Sequence, residues 1–159
     1  MIRKLIILGA VAGAGLAAPA GGACLLCSCT VDGGAVSFGS FSAFSGAQDA
    51  TGLIEVDCLG VLGTPLDSFT LKLGPGLHGS FAVREMRSGA DALIYNLYTD
   101  AARTTIWGDG TGGTSVVTLT NSLSLLTWSV SAPVYGRIPS QPTAKAGVYS
   151  DTVLVTVEW

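Results

Sequence analysis

Histidine is nearly absent from this chain. The single copy, His78, lies in the glycine-rich stretch Gly74–Gly79 and reads as an exposed loop residue. General acid–base chemistry by one loop histidine needs partners that no nearby motif supplies. There is no Gly-x-Ser-x-Gly elbow to present a nucleophile. The acids are dispersed, so a secreted hydrolase using carboxylates from different strands ranks last among the readings. Positive charge is scarce as well: eight Lys and Arg, with no basic block. That excludes nucleic acid as a natural partner. No stretch of a dozen residues or so carries a helical apolar stripe. The loop Trp107–Gly113 has one acid, Asp109, where a calcium loop needs several, and reads as a glycine-driven turn.

Long apolar runs are missing with one exception. Leu5 to Ala18 carries no charge and follows Arg3 and Lys4. It is too short to span a bilayer, and Ala18-Pro19-Ala20 ends it with a small-x-small pattern. Residues 1–20 therefore read as a secretory signal peptide, cleaved after Ala20 or, alternatively, after Ala23. The competing reading is a buried apolar helix of the mature fold. Removal leaves residues 21–159 as a single domain. Six basic residues then face eleven acids, a net charge of −5, and no membrane span remains.

Strand signals dominate the mature chain. Ile54, Val56 and Cys58 alternate with Glu55 and Asp57, and Phe69, Leu71 and Leu73 alternate with Thr70 and Lys72. Leu93–Tyr98 is apolar on both faces and reads as a central strand. Leu126, Trp128 and Val130 alternate with Thr127 and Ser129. At the end, Val153, Val155, Val157 and Trp159 share one face, with Leu154 on the other. Turn chemistry at Gly74-Pro75-Gly76, Ser88–Asp91 and Gly108–Gly113 separates these runs. Seven or so short strands predict an all-β fold, an immunoglobulin-like antiparallel sandwich, with a closed barrel second.

The four cysteines are Cys24, Cys27, Cys29 and Cys58. A four-thiolate zinc site would want paired CxxC knuckles, which the spacing does not give. A redox role for Cys24-x-x-Cys27 lacks a βαβ context. A lipid anchor at Cys24 would want Leu where Gly21 stands. In an oxidising compartment the expectation is two disulfides, with three possible connectivities. Strand geometry favours Cys29 with Cys58, since one opens a strand-like stretch running to Phe38 and the other closes a strand. Cys24 and Cys27 would then pair locally. No metal and no cofactor is expected.

Several segments resemble the spore coat protein U domain family. They are Cys29-Thr30-Val31, Val36–Phe41, Ile54–Cys58, Leu71–Gly74, Arg84-Glu85-Met86, Leu93–Asp100, Trp107–Gly110, Tyr135–Pro139, Gln141 and Gly147–Val153. Their order extends the resemblance over nearly all of residues 29–159. That family includes subunits of archaic chaperone–usher pili and a spore coat protein. The resemblance implies an incomplete, pilin-type sandwich of six strands with an apolar groove. A periplasmic chaperone fills the groove first, and the N-terminal extension of a neighbouring pilus subunit fills it later, after passage through an outer-membrane usher. The family's disulfide falls on Cys29 and Cys58. The strand Val153–Trp159 borders the groove, which makes Val153, Val155, Val157 and Trp159 the expected chaperone and subunit interface. One feature departs from the pattern. A donor strand needs about ten to fourteen alternating residues at ~3.3 Å each, and only Gly21–Ser28 precede Cys29.

The leading expectation is a secreted structural subunit of a chaperone–usher pilus or surface coat, not an enzyme. It would assemble by donor-strand complementation, serve adhesion or biofilm, and pass through the periplasm to the cell surface or fimbrium. The alternative is a self-complete secreted adhesin or carbohydrate-binding module, to which Tyr95, Tyr98, Trp107 and Trp128 could lend aromatic contacts if exposed.

Overall fold

Period-two alternation becomes strand wherever one face can be buried. The computed structural model describes residues 6–9, 28–59, 67–121 and 127–158. Nine strands run through them. These are β1 (Ile6–Gly9), β2 (Ser28–Gly33), β3 (Gln48–Leu59), β4 (Asp67–Leu73), β5 (Arg84–Ser88), β6 (Asp91–Tyr98), β7 (Val117–Asn121), β8 (Thr127–Ile138) and β9 (Thr152–Glu158). There is no helix among the described residues.

The strands form two sheets, ordered β1-β9-β4-β7 and β2-β3-β8-β6-β5. All neighbours pair antiparallel except β1 and β9, which run parallel. The inner faces meet in one core. Ile54, Val56, Leu93, Tyr95, Leu97, Ala132 and Val134 come from the larger sheet, and Leu71, Leu73, Val153 and Val155 from the smaller. This is an immunoglobulin-like sandwich, with alternate residues of each strand turned inward.

The expected strands fall inside longer ones. Ile54–Cys58 is the second half of β3, whose first half, Gln48–Leu53, is polar and contains Gly52. Leu93–Tyr98 is internal as expected, between β8 and β5. The stretch from Cys29 to Phe38 is not one strand. β2 ends at Gly33, yet Val36 and Phe38 remain buried. They lie so close over β3 and β8 that side chains there would collide. A Cβ on Gly136 would sit 2.7 Å from Phe38 Cζ, and one on Gly52 would sit 2.8 Å from Val36 Cγ2. Glycine at these two positions thus lets the segment after β2 act as a core layer without pairing. The Ser88–Asp91 turn closes the β5–β6 hairpin, with Gly89 at φ 61°.

A polar clip holds the loop after β6 against the larger sheet. Arg103 sits in the left-handed region, φ 59°, and donates from Nε to Gly136 O. Arg137 forks onto Asp49 at 2.7 and 2.9 Å, and Arg103 approaches the same carboxylate at 3.3 Å. The Arg137 hydrogen bonds hold the Asp49 carboxyl below its ordinary range, against a smaller opposing effect of burial. Stability from this pair is therefore present above the ordinary carboxylate pKa and fades as pH falls through the lowered one. Screening at this exposed position keeps it small.

Candidate functional site

The chemistry-bearing candidates do not converge. His78 is exposed, and its backbone carbonyl accepts from Glu85 N. Asp109 accepts from Thr111 N and Oγ1 at 2.9 and 2.6 Å, inside a turn with Gly110, Gly112 and Gly113 at positive φ. No three His, Cys, Asp or Glu stand together in a way that could hold a metal ion among the described residues. Tyr95 and Trp107 are fully buried, and Trp107 Nε1 donates to Leu71 O at 3.0 Å. Tyr98 is half-buried on the outer face opposite Tyr135. The side chain of Trp128 lies outside the described residues, as do Cys24, Cys27, Trp159 and most of the N-terminal run.

What the structure does build is a strand edge. β9 pairs with β4 on one side, Val157 opposite Leu71 and Val155 opposite Leu73. Its inward face is Val153, Val155 and Val157, all buried with β1 in place, while Leu154 faces out. The other side of β9 pairs with a single strand among the described residues. It takes β1, with Ile6 opposite Thr152 and Gly9 opposite Val155. β1 also touches β2, at the facing edge of the larger sheet. Beyond Val155 no strand pairs with this side of β9 among the described residues. Without β1 the edge would present bare N–H and C=O groups above an apolar layer, a template for strand addition.

The start of β9 is fixed by buried polar contacts. Asp151 accepts from Tyr95 OH at 2.6 Å and from Leu77 N at 3.0 Å. Burial, with the Asp151 hydrogen bond adding to it, pushes the Tyr95 phenol far up, so Tyr95 stays a neutral donor. Gly76 must be glycine here: its φ is +91°, and a Cβ would fall 2.1 Å from Asp151 Oδ2. Gly74 N donates to Leu154 O at 2.8 Å.

Gly74 O in turn is held by Arg84, through Nε at 3.1 Å and Nη2 at 2.7 Å. Arg84 is wholly buried and also donates to Trp107 O and Asn96 Oδ1. Burial lowers its pKa to about 10, leaving it charged at neutral pH. One guanidinium thus fastens β5, β6 and the segments that follow β4 and β6. Sequence reading gave Arg84 no structural role: it was one of six scattered cations and part of the Arg84-Glu85-Met86 match. The available signal was its phase, two residues from the inward Met86.

In the larger sheet, Cys29 and Cys58 form a disulfide. They stand directly opposite in the β2–β3 ladder, as strand geometry and the family resemblance both led us to expect. The bond ties down β2, the strand that β1 touches across from β9.

Comparison with known proteins agrees with this architecture. A family model described as "Spore Coat Protein U domain" matches residues 17–156. Protein U of Myxococcus xanthus is 35% identical over 151 residues, covering 86% of this chain and 78% of that protein. Among solved structures, one chain of the CsuC–CsuE chaperone–tip adhesion subunit pre-assembly complex from archaic chaperone–usher Csu pili of Acinetobacter baumannii superposes with a TM-score of 0.52. The likeness is at 21% identity and covers 84% of this chain but only 40% of that one. It supports the fold. The family match extends over most of the chain, and the chain belongs to the Spore Coat Protein U domain family.

Proposed function

We propose that this protein is a secreted structural subunit of a chaperone–usher pilus or related surface coat, assembled by donor-strand complementation, with a role in adhesion or biofilm and no enzymatic activity. The observation that carries the reading is the edge of β9. One side is committed to β4, the inner face is apolar, and the other side pairs among the described residues with β1 alone, over Thr152–Val155. Main-chain hydrogen bonds would give such an addition affinity, and the apolar face would give it register.

On this reading Val153, Val155, Val157 and Trp159 form the chaperone and subunit interface. The partners are a periplasmic chaperone, an outer-membrane usher and neighbouring subunits. Residues 1–20 direct export and 21–159 form the functional domain, which passes through the periplasm to the cell surface. No helix among the described residues is long and apolar enough to cross a membrane. The test is expression of the mature chain with and without its chaperone. Soluble monomer should accumulate only with the chaperone. Equal yields of stable monomer in both cases would contradict groove-dependent folding.

A further inference from the structure

The N-terminal apolar run has the pattern of an export signal, yet part of it is a strand of the sandwich. Ile6–Gly9 pairs with Thr152–Val155 residue for residue. It lies at the edges of the two sheets, against β9 on one side and β2 on the other. The β9 edge has only two neighbours to gain, and β4 already holds one side. The run is uncharged from Leu5 to Ala18, and β1 itself is Ile-Ile-Leu-Gly. An uncharged aliphatic strand suits an apolar layer at a sheet edge.

Covalent attachment adds to this. Residues 10–27 join β1 to β2, so β1 meets β9 intramolecularly. Effective concentrations for segments joined in this way reach the order of mM. A strand too weak to bind as a separate peptide at micromolar concentration can therefore occupy its edge when tethered. Parallel pairing is slightly weaker per residue than antiparallel, and only four residues pair. The closure is thus of a kind that a longer strand could replace.

We propose that Ile6–Gly9 is a built-in donor strand: in the full chain it closes the β9 edge in cis, and the edge opens when the run is absent. This rests on the reading of β9 as a strand-accepting edge, and deepens it by naming a segment of this chain as one occupant. An apolar run that leads the chain to export would then also protect the edge most prone to aggregation for as long as it remains attached.

The experiment uses the full chain, produced without export and refolded under oxidising conditions so that Cys29 and Cys58 can join. Amide hydrogen exchange is followed over Thr152–Glu158, with size-exclusion chromatography alongside. The comparison is a variant carrying Ile7→Pro and Leu8→Pro. Alternate residues of one parallel strand bond its neighbour, so two successive prolines remove a β9-facing donor in either phase. A second variant, Ile7→Asp, at the register position opposite the inward Val153, tests the same contact without altering the backbone. The expected result is slow exchange at Thr152–Val155 in the full chain, rising about tenfold or more in both variants. Adding a peptide of residues 3–12 should restore protection. Fast exchange in all three chains, slowed alike by an added alternating apolar peptide, would overturn the cis strand and leave the accepting edge intact. Slow exchange in all three, as monomers and without peptide, would overturn both.

Discussion

Replacing Cys29 and Cys58 together by serine is expected to cost about 3–4 kcal/mol of stability. The two residues are separated by 29 positions and are both buried. In the chain-entropy description, a cross-link closing a loop of that size removes about this much freedom from the unfolded chain. The effect should appear as a drop of roughly 10–15 °C in Tm, and wild-type protein under reducing conditions should show the same drop. The local consequence matters more for function. Among the described residues β2 has one ladder neighbour, β3, and β1 touches both β2 and β9. Losing the bond should loosen β2 first, so exchange at Cys29–Gly33 should rise before exchange in β3 or β8. A loss below about 1 kcal/mol, with β2 unaffected, would show that the ladder alone holds the strand.

The second large effect is expected at Arg84. Truncation to alanine removes the donors from Gly74 O, Trp107 O and Asn96 Oδ1, and it empties space in the core. A buried acceptor left without a donor costs about 1–3 kcal/mol. The sum for Arg84→Ala should be about 3–5 kcal/mol, allowing for partial relaxation. Arg84→Lys should recover little of it. One ammonium lacks the planar fork that reaches Gly74 O from two nitrogens while also serving the other acceptors. Denaturant unfolding of the three chains measures this directly. Lysine behaving like the wild type would mean that charge, not the fork, is what the site requires. Because Gly74 N holds Leu154 O, damage at Arg84 should also spread to β9.

These two sites differ in how far sequence exposes them. The cysteine pair was legible because each member ends or begins a patterned strand. The apolar face of β9 was legible for the same reason: Val153, Val155 and Val157 alternate with outward residues, and the structure buries all three. Arg84 was hidden because nothing in its local sequence marks an inward cation. Only the oxygens of Gly74, Asn96 and Trp107, brought from far along the chain, make an inward arginine tolerable. The second half of β8 was hidden for another reason. Tyr135 and Arg137 face outward but are half-covered, and inward Gly136 has no side chain, so the apolar period fades. The first half of β3 loses its pattern in a similar way at Gly52. The pairing of β1 with β9 could not be read at all. An uncharged aliphatic run after two cations is the same pattern whether it serves a translocation machine or a sheet edge.

The central claim is that β9 accepts a partner strand along the side that β4 does not hold. The most direct measurement is amide hydrogen exchange of the mature chain in complex with its chaperone, compared with the same chain just after release. The smaller sheet has an internal control, because β7 is its other edge. The account predicts strong protection along Thr152–Glu158 in the complex, lost on release, with Val117–Asn121 unchanged throughout. Protection that appears at β7, or that leaves β9 the same in both states, would contradict it.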